Sequence, residues 1–296
     1  MNIRKIYTFP AVFCLIGMTT FSAPLQNKIK ITATFYPLYI MLENLTENVP
    51  DVEISMLAPV NTGCLHDYEM TTRDMKTITG CDILIANGAG METFLEKALS
   101  MKKGAVIVAA DGFPLTDNNP HVWVSPAGAI YEVQHIASGL EKLDSTHADL
   151  YKQNADVYMQ KLRTLSSGMH KILDGFTGSR IITFHEAFPY FASEFHLQIV
   201  SVVEREPGTI PNAKELAGLI TMIKKAQQDG TSISLFAEPQ YSSSAAEVIS
   251  RETGLTVYEL DPCVTGSLDK DSYINSMKHN AEVLQKALSG TAGSIK

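Results

Sequence analysis

Positive charge, cysteine and long apolar runs are all scarce in this chain, and each scarcity closes off a class of protein. Lysine and arginine number 24 against 32 acidic residues among 296, a formal net charge of −8. A surface of that sign repels a phosphate backbone, which argues against nucleic acid as a partner. Four cysteines are too few for a disulfide scaffold, but with eight histidines they suffice for one metal or catalytic centre. Beyond the N-terminal stretch no segment reaches the ~18 apolar residues of a membrane-crossing helix. Low-complexity tracts, collagen-like repeats and coiled-coil composition are also absent. What remains is an ordinary globular composition, 45% hydrophobic and 19% charged, at a length suited to two domains or one large one.

The first 23 residues differ from the rest. Arg4 and Lys5 make a short basic start, residues 6–18 are mostly apolar, and Thr19, Thr20, Phe21, Ser22 and Ala23 form a small-residue end. That three-part pattern predicts a secretory signal over residues 1–23. A buried N-terminal strand or helix is the alternative. Cys14 invites a lipid anchor, but Phe13 before it is a poor neighbour for lipidation. Loss of residues 1–23 removes two basic and no acidic groups, leaving 22 against 32, or −10. The expected mature chain is soluble, exported to the periplasm and acidic.

Short β-rich runs then alternate with helical patterns. Strands are expected at 29–35, 52–57, 83–86 and 106–109, and again at 180–184, 199–203, 233–237 and 255–260. Strand–helix alternation argues for parallel sheets covered by helices. The expected fold is α/β: two similar lobes, each a roughly four-stranded, mainly parallel sheet with flanking helices. Between the strand sets, Tyr151, Ala155, Tyr158, Leu162, Leu165, Met169 and Ile172 repeat at spacings of four and three. That is one apolar stripe on a helix, with Ser145 to cap its start and Gly175 to end it. At ~1.5 Å per residue it spans roughly 45 Å, enough to cross both lobes as a stiff spine. A coiled-coil dimerisation helix, the alternative, needs a longer heptad run. The expected layout is therefore an N-terminal lobe over 24–144, a connecting helix over 145–175 and a C-terminal lobe over 176–296.

Ligands of open α/β sheets gather beyond the carboxyl ends of strands. His66, His121, His185 and Asp261 all follow expected strands, two in each lobe. Three imidazoles and a carboxylate converging on a cleft suit a tetrahedral divalent-metal site. His135, His147, His170, His196 and His279 fall in helical patterns and read as surface or satisfied core groups. After removal of the signal, Cys64, Cys81 and Cys263 remain. A Cys64–Cys81 bridge would have to span much of a strand, against a Cα limit of about 7 Å, so reduced thiols are expected, with a Cys64–Cys263 contact at the cleft as the alternative.

Several motifs together carry a likeness: Thr34-Phe35-Tyr36-Pro37-Leu38, His66-Asp67-Tyr68-Glu69, Asn87-Gly88-Ala89-Gly90-Met91-Glu92, Pro120-His121-Val122-Trp123, Thr183-Phe184-His185-Glu186 and Phe236-Ala237-Glu238-Pro239-Gln240. In this order the chain resembles the zinc- and manganese-binding solute-binding proteins of bacterial ABC importers, a family that includes adhesin lipoproteins. The resemblance implies a monomeric two-lobed receptor that holds its metal between the lobes and delivers it to an ABC membrane permease. It also implies that His66, His121, His185 and Asp261 match the family's ligand positions. Two departures stand out. Cys64-Leu65 replaces the carboxylate-containing pair usual before the first histidine, which leaves the fourth position to Asp261. The segment 111–119 is short and has no histidine, unlike the histidine-rich loop of many zinc-binding relatives. Manganese-type members generally carry a carboxylate where this chain has His185, so Zn2+ is expected as the transported ion, with Mn2+ as the alternative. A surface adhesin and a zinc hydrolase are the rival classes. Position 189 is Pro, however, so no His-Glu-x-x-His helix follows His185.

Overall fold

Strands that read as mainly apolar runs, such as Ile83–Ala86 and Ile233–Ala237, belong to sheets covered on both faces, and both of these are buried along their whole length. The computed structural model describes residues 28–65, 68–203, 211–240 and 244–292; the expected signal segment 1–23 and His66 lie outside them. The N-terminal half runs β1 (Ile29–Ala33), α1 (Tyr36–Leu45), β2 (Val52–Met56), α2 (Thr72–Gly80), β3 (Ile83–Ala86), α3 (Glu96–Leu99) and β4 (Ala105–Val108). Helices α4 (Pro126–Leu143) and α5 (Ala148–Leu173) follow. The second half runs β5 (Arg180–Thr183), α6 (Pro189–Glu194), β6 (Gln198–Val202), α7 (Ala213–Gln228), β7 (Ile233–Ala237), α8 (Ser244–Thr253), β8 (Val257–Glu259) and α9 (Ser272–Ala292).

The two sheets have one winding. Their orders are β2-β1-β3-β4 and β6-β5-β7-β8, and every neighbouring pair is parallel. In each sheet the chain steps outward from the first strand, then returns to its other side. The points where the order reverses, β1/β3 and β5/β7, are the crevices in which this class of fold binds ligands.

The expected long helix is α5, at ~1.5 Å per residue about 39 Å long. Its ends differ from the sequence reading. Ser145 does not cap it: His147 occupies that position without a side-chain cap bond, and its Nδ1 lies 2.6 Å from Asp144 Oδ2. At the other end the coil tightens into a 3-10 turn over Asp174–Phe176, so Gly175 sits inside that turn. Leu173 rather than Ile172 is the last buried stripe residue, because a 3.6-residue helix drifts from a strict seven-residue repeat. Helix α5 packs on α4, α9 and α1. One core runs through both halves, from Ile31 and Ile85 through Tyr158 and Leu162 to Ile181, Phe236 and Met277. Cys64, Cys81 and Cys263 are buried and reduced, without a disulfide.

One residue of that interior is mismatched with its surroundings. Glu132 on α4 is wholly buried, and neither carboxyl oxygen has a hydrogen-bond partner among the described residues. Burial, aided by the nearby Glu92 charge, raises its pKa well above the ordinary carboxyl range, so the folded chain holds it protonated. The unfolded chain ionises it above about pH 4.3. Folding therefore takes up a proton at neutral pH, and stability contributed by the neutral form is lost as pH rises. Glu132→Gln is expected to raise the stability of the metal-free protein at pH 7.5 by at least about 1 kcal/mol, read as roughly 2–4 °C in Tm. The gain should shrink towards zero near pH 4.3; a gain independent of pH would show that Glu132 does not fold as the neutral acid.

Candidate metal centre

The second sheet delivers two side chains to its switch point. His185 leaves the end of β5 and Glu238 the end of β7, and Thr183 Oγ1 donates to the His185 carbonyl at 3.1 Å. His185 Nδ1 lies 3.3 Å from Glu238 Oε1, both residues being buried. Burial pushes Glu238 up, while the contact with His185 and the bond from Gln240 Nε2 at 2.6 Å pull it down. A carboxylate behind a ligating imidazole fixes the ring and raises its basicity.

The first sheet contributes through a loop that the rest of the molecule holds in place. Asn87, at the end of β3, donates through Nδ2 to the Pro120 carbonyl at 2.9 Å. Tyr190 of α6 donates to the Asn119 carbonyl at 2.6 Å, and Asn119 Nδ2 donates to the Glu186 carbonyl at 2.7 Å. With its amide nitrogen so used, Asn119 Oδ1 accepts from the backbone N–H of His121 and lies 3.0 Å from His121 Nδ1. An amide oxygen can only accept, so Nδ1 carries the ring proton and Nε2 is left with its lone pair. A short turn over Val122–Val124 leads into α4, capped by the Ser125 hydroxyl, which accepts from Gly128 N at 3.0 Å. Gly128 is required there, since a Cβ would stand 1.9 Å from the Val122 carbonyl oxygen.

These supports bring His121 and His185 together across the two halves. Their ring centroids are 4.7 Å apart and nearly perpendicular, and each residue is only 2% exposed. Cys64, on the turn after β2, completes a trio: its Sγ is 3.2 Å from His121 Nε2. One donor atom each of Cys64, His121 and His185 lies within 4.8 Å of the others. The imidazoles line a cleft of about 420 Å³ whose walls include Asp117, Asn118, Pro120 and Glu186.

Of the four residues picked out in the sequence, the fold thus brings His121 and His185 together. Asp261 is not among the donors that lie within 4.8 Å of one another, although its charge acts on Glu238 beside His185. Its Oδ1 accepts from the Cys263 backbone N–H at 2.7 Å, and Asn280 of α9 holds its backbone at 2.9 and 2.7 Å. Burial raises its pKa, against the hydrogen bond from Cys263 N. Sequence reasoning gave no ligand role to Cys64 and no supporting role to Glu238. Glu238 had a signal: it is a carboxylate directly after a buried, mainly apolar strand. Cys64 had one for its place, two residues before His66 and so near the cleft, but none for a ligand role.

Residues 31–287 match the profile of the ZnuA family, described as zinc-uptake complex component A, periplasmic. The chain belongs to the ZnuA family. Among curated relatives, the zinc-binding protein AdcA of Streptococcus pyogenes is 28% identical over 88% of this chain, which spans only 56% of that longer protein. The high-affinity zinc uptake system protein ZnuA of Bacillus subtilis is 27% identical, with 88% of each chain covered. Among solved structures, the solute-binding protein FpvC of Pseudomonas aeruginosa in complex with Mn2+ superposes with a TM-score of 0.80 at 28% identity, covering 89% of this chain and 99% of that one.

Within this ZnuA-family site, the Glu238–His185 contact is open to a direct test. Glu238→Ala is expected to weaken metal binding about 10- to 100-fold, the usual effect of losing a carboxylate behind a metal-bound histidine. Glu238→Gln, which keeps an oxygen acceptor, should recover part of the loss. Competition with a chromophoric chelator measures both, and unchanged affinity in the alanine variant would show that the carboxylate does not orient His185.

Proposed function

We propose that this chain is a capture receptor: it binds Zn2+ between its two sheets outside the inner membrane and releases it to an ABC permease for uptake. The observation that carries this reading is the meeting of two buried imidazoles from different sheets, each with its second nitrogen committed to a supporting oxygen. Histidines arranged in this way suit zinc. The zinc-binding names of the streptococcal and Bacillus relatives support the same ion. His66 and Asp261, which the resemblance implies as ligands beside His121 and His185, complete the ligand set of this reading. The proposed export signal is residues 1–23, the lobes are 24–144 and 176–296, and residues 145–175 connect them.

The reading is one of binding without chemistry. A hydrolytic metal needs a position open to water and a base beside it, whereas this set of donors encloses the ion. Manganese is the second reading, favoured by the Mn2+ complex of FpvC. The donor set opposes it, because manganese prefers oxygen-rich sites of higher coordination.

His121→Ala and His185→Ala are each expected to cost at least about 100-fold in zinc affinity, ~2.7 kcal/mol. His135→Ala and His170→Ala, which remove rings packed on Tyr131 and paired with Asp174, should leave affinity unchanged. A larger loss in either of the latter would overturn the ligand assignment. Under limiting metal the unmodified protein should retain zinc against excess manganese, and His185→Glu should narrow that preference. Manganese held as tightly as zinc by the unmodified chain would exclude the zinc reading.

A further inference from the structure

The turn after β2 places a soft donor inside the site. Gly63, at a positive φ of 76°, reverses the chain, and Cys64 follows it into the interior, 7% exposed. Its sulfur does not merely fill space among apolar side chains. It faces Nε2 of His121 at 3.2 Å, the nitrogen that the Asn119 contact leaves with a lone pair, and His185 closes the third side.

We propose that Cys64 is itself a metal ligand, its thiolate joining His121 and His185 in a sulfur–nitrogen set that favours zinc and softer cations over manganese. This deepens the capture reading above and rests on it. The distances fit. Tetrahedral zinc with bonds of about 2.3 Å to sulfur and 2.0–2.1 Å to nitrogen holds neighbouring donors roughly 3.3–3.6 Å apart. The Cys64–His121 separation of 3.2 Å is slightly inside that spacing, and the 4.8 Å limit on the trio leaves at most about 1.5 Å to close. Among the described residues Cys64 is the non-imidazole donor that lies within 4.8 Å of both histidines, whereas Asp261 Oδ1 already accepts from Cys263 N, so the thiolate takes the position that the capture reading gave to Asp261. Binding is a simple exchange. The S–H bond of Cys64 breaks heterolytically, its electron pair becomes the sulfur–metal bond, the proton leaves to bulk water, and no electron is transferred.

Softness then decides selectivity. Thiolate ligands select zinc and softer ions, while manganese is suited by carboxylate, carbonyl and water. One sulfur at this point biases the site against manganese without any change in its imidazoles.

The test uses the full chain loaded with Co2+ as a visible stand-in for zinc. The unmodified protein should show a sulfur-to-cobalt charge-transfer band in the near ultraviolet. Cys64→Ser should lose that band while still binding cobalt, with zinc affinity lowered at least about tenfold, or ~1.4 kcal/mol, and manganese affinity little changed. Stoichiometric zinc should protect Cys64 from alkylation by iodoacetamide. Cys81→Ser, whose sulfur lies 3.3 Å from Lys102 Nζ on another part of the N-terminal half, should change none of these readings. If Cys64→Ser fails to fold, X-ray absorption of the zinc-loaded unmodified protein decides, with one sulfur expected at about 2.3 Å. Cobalt or zinc bound with no sulfur signature would overturn the thiolate ligand and leave the capture reading standing. No binding of either ion by the unmodified protein would overturn the capture reading itself.

Discussion

The arrangement of this molecule depends on how the turn bearing Trp123 is locked to the opposite half. The indole N–H of Trp123 donates to the Pro262 carbonyl at 2.9 Å, and the Tyr273 hydroxyl of α9 donates to the Trp123 carbonyl at 2.8 Å. The ring is fully buried and meets Phe35 edge-on at 4.9 Å. A buried indole or phenol must find a partner for its polar atom, and here each partner belongs to the other half. His121 lies two residues upstream, so the same contacts set where its imidazole points. Tyr36, whose hydroxyl donates to the Ser267 carbonyl at 2.7 Å, and Asn44, which donates to the Lys270 carbonyl at 2.8 Å, extend the seam along α1.

Behind the first sheet's switch point the polar groups divide into satisfied and unsatisfied. Glu92 accepts from Asn87 N at 2.7 Å, Gly88 N at 2.9 Å and Thr34 Oγ1 at 2.8 Å. These bonds partly offset the burial that raises its pKa and fix the Asn87 loop on which Pro120 and His121 rest. Glu132 shares the burial without such bonds. An unsatisfied buried polar group costs about 1–3 kcal/mol, whereas net gains from individual bonds nearby are each about 1 kcal/mol. The balance leaves α4 carrying a local penalty close to the metal-side loop.

The sheets were legible in the sequence because their information is local. Runs such as Ile83–Ala86 and Ile233–Ala237 admit few other roles, and each expected strand overlaps an observed one. The stripe of α5 was equally plain, but its ends were not. Asp144 draws in both His147 and Tyr151, a contact that displaces Ser145 from the capping position and has no signature at short range. His121 and His185 could be found because each lies in a loop after an expected strand, where ligands of open α/β sheets gather. The direction of Cys64 depends on a left-handed glycine beside it and on an amide in a distant loop, and the engagement of Asp261 depends on Asn280 in the last helix. Such pairings are products of the finished fold.

The common core has a consequence for how the chain comes apart. With Tyr158, Leu162, Phe236 and Met277 packed in one cluster with Ile31 and Ile85, neither half can melt while the other keeps its interior intact, and the whole should unfold in one cooperative step. An ion gripped from both sides, as the capture reading proposes, would then act on the entire chain. At a metal concentration 1,000 times the dissociation constant, occupancy adds about 4.1 kcal/mol to global stability. On the proposed capture reading, metal supply would thereby set how long the chain survives proteolysis, so metal starvation would also shorten its life.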